Sequence, residues 1–184
     1  MLKLISMIRM HDEYCWKAKL LSSLRAMTLD GPYANVFSCL DGNRLTYGIH
    51  LAVLVEPYLS LILAGKKTIE SRFSVNRHAP FEQVQRGDVI ILKRSGGPVE
   101  GLCTVSDVWF YRLTAKTWVD IERYASALCM DDSGFWKHKR GASYATLMRI
   151  DRILKLPDLE IEKVDPRGWV VLRSSSSECQ RCLF

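Results

Sequence analysis

Leu63-Ala64-Gly65-Lys66-Lys67-Thr68-Ile69-Glu70-Ser71-Arg72 is a helix-to-strand junction. Upstream, Leu59, Leu61, Ile62 and Leu63 make an apolar helical face, and Gly65 stands where a left-handed cap ends a helix. Downstream, Thr68 to Phe73 alternates with the period of a strand. Side chains on a strand point alternately to its two faces, so Thr68, Glu70 and Arg72 share one face and Ile69, Ser71 and Phe73 the other. The flanks read as structure, but the junction itself holds three cations around one carboxylate. Either it is a solvated edge strand with a weak surface ion pair, or its charges meet a ligand.

The surrounding elements fit a small mixed sheet. Leu51 to Val55 is a continuous apolar run suited to a buried strand, and Glu56-Pro57 opens the helix that Gly65 closes. After the junction comes the loop Asn76-Arg77-His78-Ala79-Pro80. The turn Gly87-Asp88 then feeds a buried strand, Val89 to Leu92. Ser95-Gly96-Gly97-Pro98 turns into a long strand, Val99 to Tyr111. Thr114 caps a helix running to Leu128, and Asp131 to Gly134 reads as an acidic turn before Phe135-Trp136. Tyr144 to Leu154 and Gly168 to Leu172 complete the strands. About six strands with two or three helices, joined by short turns, point to an α+β fold built on a small mixed β-barrel. Residues 49–173 form this domain, and 174–184 are a serine-rich tail expected to be mobile. Residues 1–48 are an extension, containing a helix over Glu13 to Met27, that is either an accessory element or poorly ordered.

Of 184 residues, 48% are hydrophobic and 25% charged, ordinary values for a globular chain. The formal charge is +6, and it is unevenly placed. Residues 65 to 94 hold seven Lys or Arg (66, 67, 72, 77, 86, 93, 94) and three acids (70, 82, 88), giving +4. A focused positive field suits an anionic partner such as RNA or a nucleotide. No apolar run reaches the roughly 18 residues that span a membrane. Lys3 and Arg9 interrupt the apolar start too early for a signal peptide, so the expected location is cytoplasmic. The six cysteines read as reduced thiols. Cys179 and Cys182 have metal-ligand spacing without a second pair nearby, so neither metal nor cofactor is assigned.

Several stretches together resemble the ASCH domain, a member of the PUA-like β-barrel superfamily. They are His50 to Leu54, Glu56-Pro57-Tyr58, Leu63 to Arg72, Gln85-Arg86-Gly87-Asp88-Val89, Phe135-Trp136 and Arg167-Gly168-Trp169-Val170. The family pattern is Gly-x-Lys-x-x-x-x-Arg followed by Gly-Asp, and the resemblance spans about residues 50 to 172. It implies a barrel with a cleft lined by the junction, and a role in binding RNA or modified nucleosides. Some bacterial relatives are amidohydrolases of acetylated cytidine. There the lysine matching Lys67 is catalytic, with a threonine where this chain has Glu70 and a distal acid near Asp131 or Asp132.

Read from their own chemistry, Lys67 and Arg72 are candidates to bind phosphate or carbonyl oxygens. Glu70 is a candidate to accept from the exocyclic amine of a base or to orient a water. Lys66, Thr68, Arg77, Lys93 and Arg94 are further binding candidates on the junction and on the loops that would wall a cleft. Tyr58, Phe73 and Trp109 are candidate stacking surfaces, while Trp118, Trp136 and Trp169 are assigned to the core. The leading expectation is a module that binds RNA or a nucleotide-like ligand. The alternatives are a hydrolase (an amidohydrolase on acylated cytidine, or a ribonuclease) using Lys67 with Glu70 or a distal Asp, and a protein-interaction module.

Overall fold

The computed structural model describes residues 2–38, 46–130 and 133–175. In chain order they form α1 (Leu2–Met27), α2 (Ala34–Ser38), β1 (Ile49–Leu54), α3 (Tyr58–Leu63), β2 (Ile69–Ser74), β3 (Val89–Arg94) and β4 (Val99–Arg112). There follow α4 (Ala115–Glu122), α5 (Ala125–Leu128), α6 (Ser133–Lys139), β5 (Tyr144–Leu159) and β6 (Trp169–Arg173). The strands make one curled half-barrel sheet in the order β2-β5-β4-β3-β1-β6. β1 and β3 run parallel, and the other neighbours are antiparallel.

The apolar runs of β1 and β3 are continuous because both faces of these strands are covered. Ile49, Leu51, Val89 and Ile91 face one core with Trp16, Leu20 and Leu24 of α1 and Phe37 of α2. Ala52, Leu54, Ile90 and Leu92 face the opposite core with Leu59 and Ile62 of α3. Residues 16 to 37 therefore contribute a layer of the domain, and Leu24 and Phe37 are fully buried. A third core, of Ile69, Leu147, Ile121 and Leu128, packs α4 and α5 on β2 and β5.

Six helices form among the described residues: α1 and α2 precede the barrel, and the barrel domain itself carries four, against the expected two or three. Part of the difference lies in the long helix expected over 114–128. Thr114 caps it in a reciprocal box with Thr117, as its residue type suggests. The helix then stops at Arg123, restarts at Ala125, and closes at Cys129 in a left-handed conformation (φ +53°). The stretch around Phe135-Trp136 is helix α6 instead of the tail of a turn.

Two local devices position the junction. Gly101 allows α3 to press on β4, since a Cβ there would lie 2.8 Å from both the Leu154 carbonyl and Leu63 Cδ2. Gly65 takes φ +70°, and the amides of Lys66 and Lys67 both donate to Leu61 O, at 2.9 and 3.1 Å. This wraps the chain back under α3 and turns Lys67 inward.

The Gly87-Asp88 turn ties the strands below. Gly87 has φ +92°. The buried Asp88 carboxylate accepts from Gly48 N at 2.5 Å, Gln85 N at 2.8 Å and His50 Nε2 at 2.8 Å. Trp169 Nε1 donates to His50 Nδ1 at 3.3 Å, which fixes the tautomer that gives the Nε2 proton to Asp88.

Leu24→Ala tests whether α1 belongs to the core. Urea denaturation is expected to show a loss of about 2–5 kcal/mol, the usual range for emptying a buried leucine site. A loss under about 0.5 kcal/mol, typical of a surface change, would show that α1 does not pack there.

Candidate functional site

β2 is an edge strand, and its ladder with β5 decides which groups it offers to the outside. Ile150 N donates to Thr68 O at 3.0 Å, so Thr68 belongs to a hydrogen-bonded pair. By alternation along β2, the backbone groups of Glu70 and Arg72 also point into the ladder. Those of Ile69, Ser71 and Phe73 point outward, toward the end of β1 across the seam where the curled sheet fails to close.

Arg72 spans that seam. Its Nη2 donates to Val53 O at 3.0 Å and its Nη1 to Gly168 O at 3.2 Å, linking β2 to β1 and to the start of β6. The guanidinium also lies over Trp169, 5.3 Å from the ring centroid. Its Nε lies 2.9 Å from Glu70 Oε1, an ion contact outside hydrogen-bond alignment.

Lys67 completes the cluster, with no solvent exposure. Its Nζ donates to Ile69 O at 2.7 Å and Leu128 O at 3.1 Å, and stands 3.5 Å from Glu70 Oε2. Burial pushes its pKa below the ordinary 10.5, and the Glu70 carboxylate opposes that shift. Three acceptors surround an amine that carries three N–H groups only as ammonium, so the geometry suits the charged form.

Beside this cluster a cleft of about 250 Å³ opens along the outward edge of β2. Tyr58, Phe73, Phe135 and Met130 line it, with Glu70, Ser71, Arg72 and Lys139 as polar members. Phe135 meets both Phe73 and Tyr58 edge-on, with centroids 6.0 and 6.3 Å apart. The Ser71 hydroxyl is buried without a hydrogen-bond partner. The arrangement is an aromatic slot beside a buried carboxylate, smaller than the roughly 300–1,000 Å³ of sites for drug-sized ligands.

The structure brings Lys67, Glu70 and Arg72 together, and Glu70 and Arg72 share a strand face as the alternation required. The other candidates lie apart. Lys66 and Thr68 are exposed. Arg77 pairs with Glu82 at 3.5 Å and borders a separate groove beside Arg167 and Trp169. Lys93 is turned back onto the carbonyls of Arg94 and Gly97. Arg94 is held between Glu56 and Glu100. Asp131 and Asp132 lie outside the described residues, as do Cys179 and Cys182. Trp109 stacks near Tyr124, at 5.3 Å, and does not line the cleft. Sequence reasoning missed Met130 and Lys139 and left Phe135 without a role in the site. Its available signal was the run Lys137-His138-Lys139-Arg140 directly after two aromatics.

The ASCH domain family model matches residues 53–151, more than half of the chain and both walls of the cleft. The chain belongs to the ASCH domain family. Among solved structures it is similar to the ASCH protein of Zymomonas mobilis, with a TM-score of 0.56 at 15% identity, over 68% of this chain and 88% of that one. A single-residue variant of the same Zymomonas mobilis protein gives a TM-score of 0.52 at 13% identity, over 70% of this chain and 90% of that one. At such identities the likeness supports the ASCH fold alone. No curated protein matches the sequence.

The folded ASCH domain holds the Lys67 proton less tightly than the unfolded chain, so this group adds stability as pH rises toward 10.5. Glu70→Gln removes the charge that opposes the shift. Titration of Lys67 Cε by NMR is expected to give a midpoint below 10.5 in the parent, and one lower still in the variant. An unchanged or higher midpoint in Glu70→Gln would overturn the ion pair.

Proposed function

We propose that this ASCH domain binds RNA or a nucleotide-like ligand by taking one base into the seam cleft. The observation that carries this reading is the aromatic slot of Tyr58, Phe73 and Phe135 set beside the nearly buried Glu70. Flat apolar walls suit a heterocycle, and a carboxylate at the slot's edge accepts from an exocyclic amine. The outward backbone groups of Ser71 and Phe73 add donors and acceptors in a fixed line, as a base edge requires.

The hydrolase reading would use the same Lys67 and Glu70. Lys67 favours binding over proton transfer, because its ammonium is enclosed by two carbonyls and a carboxylate and has no exposed surface. A general base needs a free lone pair within reach of the proton it takes. Lys67 then acts as a fixed positive charge behind the cleft, and Glu70 as its polar reader.

Fluorescence anisotropy with labelled single-stranded ribo-oligonucleotides tests the proposal. Binding is expected at about 50 mM salt and weakens as salt rises. Phe135→Leu keeps an apolar side chain but removes the ring, and is expected to weaken binding by about five- to a hundredfold, the worth of one stacked base. No binding to any base composition at low salt would overturn the reading. Deacylation of acylated cytidines that Glu70→Gln abolishes would replace it with the hydrolase.

A further inference from the structure

Among the described residues, the charges around the cleft do not balance. Lys67 and Arg72 stand against the single carboxylate of Glu70, and Lys139 adds a third cation at the rim. Most basic side chains near the junction are already committed to the protein's own oxygens. Arg72 is spent on Val53 and Gly168, Lys93 on Arg94 and Gly97, and Arg94 on Glu56 and Glu100. Lys139 differs. Its Nζ lies 5.4 Å from the Phe135 ring centroid, and no carboxylate lies within 4.0 Å of it among the described residues. It ends α6 after Lys137 and His138, so the cleft rim is also the most basic turn of that helix.

We propose that Lys139 is a phosphate seat, and that the cleft takes a phosphate-bearing nucleotide unit instead of a free nucleoside. This rests on the cleft being a base site and names what else that site holds. A base lying against Phe135 would place its sugar toward the rim, where an ammonium already held over the same ring meets the phosphate. The phosphate supplies negative charge beside these cations. The ammonium gives up only a ring contact, so little is lost when it turns to the ligand. Arg140 follows in sequence but is engaged elsewhere, 5.7 Å from the Trp118 ring centroid and 3.8 Å from Glu122, which leaves Lys139 as the specific residue.

Calorimetric titration of the full chain with the four common ribonucleosides, their 3′- and 5′-monophosphates, and dinucleoside monophosphates tests this. At low salt the phosphate-bearing form of a bound base is expected to bind about tenfold tighter than the nucleoside, the worth of one charge-assisted contact. That advantage disappears in Lys139→Gln, persists in Lys139→Arg, and persists in Lys155→Gln, which removes an equal charge from an exposed site away from the cleft. Nucleoside affinity stays the same in Lys155→Gln, which lies outside the cleft. An advantage shared by the dinucleoside monophosphates assigns the seat to an RNA backbone, and one confined to monophosphates assigns it to a free nucleotide. Equal affinity for nucleosides and their phosphates, or an advantage that survives Lys139→Gln, overturns the seat and leaves the base site standing. If none of these compounds binds, the base site falls and the phosphate seat with it.

Discussion

The reach of one guanidinium sets the geometry of this protein. β2 and β6 are the two ends of the sheet, and no backbone ladder joins them. Arg72 joins them instead, donating to one carbonyl in β1 and one just before β6. Hydrogen bonds from a charged donor each contribute about 1.5–3 kcal/mol. Lysine is a poor substitute here, because its compact ammonium lacks the planar fork that spans Val53 O and Gly168 O while lying over an indole. The cleft exists because this closure is made by a side chain and leaves room beside it.

That bridge depends on its supports. Trp169 lies beneath Arg72 and is itself fixed by donating to His50, which Asp88 holds in turn. Glu70 balances Arg72 on one side and Lys67 on the other. Removing a single partner from such a buried set leaves an uncompensated charge, which is why the group acts as a unit. The Gly-x-Lys-x-x-x-x-Arg pattern, ending at Arg72, and the Gly-Asp pattern, starting at Gly87, meet here as the two ends of one chain of contacts.

Much of this was legible in the sequence, and the reasons are specific. Strand periodicity put Glu70 and Arg72 on one face, and the left-handed glycine at 65 announced the turn that buries Lys67. The six-stranded mixed sheet followed from apolar runs separated by glycine turns. What stayed hidden was the destination of each charge. Sequence composition counts Arg77, Lys93 and Arg94 as available cations, but Lys93 and Arg94 are met by carbonyls or carboxylates that only the fold brings near. Lys139 lay past a turn whose helix was not recognised, because seven residues carry too little periodicity to show a face. The layer formed by α1 was equally obscure. A covering helix and a loose extension read alike until the strands show which of their faces needs burying.

The outward backbone groups of β2 have a meaning beyond ligand recognition. A strand edge with unpaired N–H and C=O groups is a template on which another polypeptide can add, and edges of this kind drive unwanted association. Arg72 crosses the space such an incoming strand would occupy, and the rings of Phe135 and Tyr58 crowd what remains. The side chain that shuts the sheet thus also occupies the place where a further strand would add, so closure of the fold and protection of its edge rest on the same few atoms.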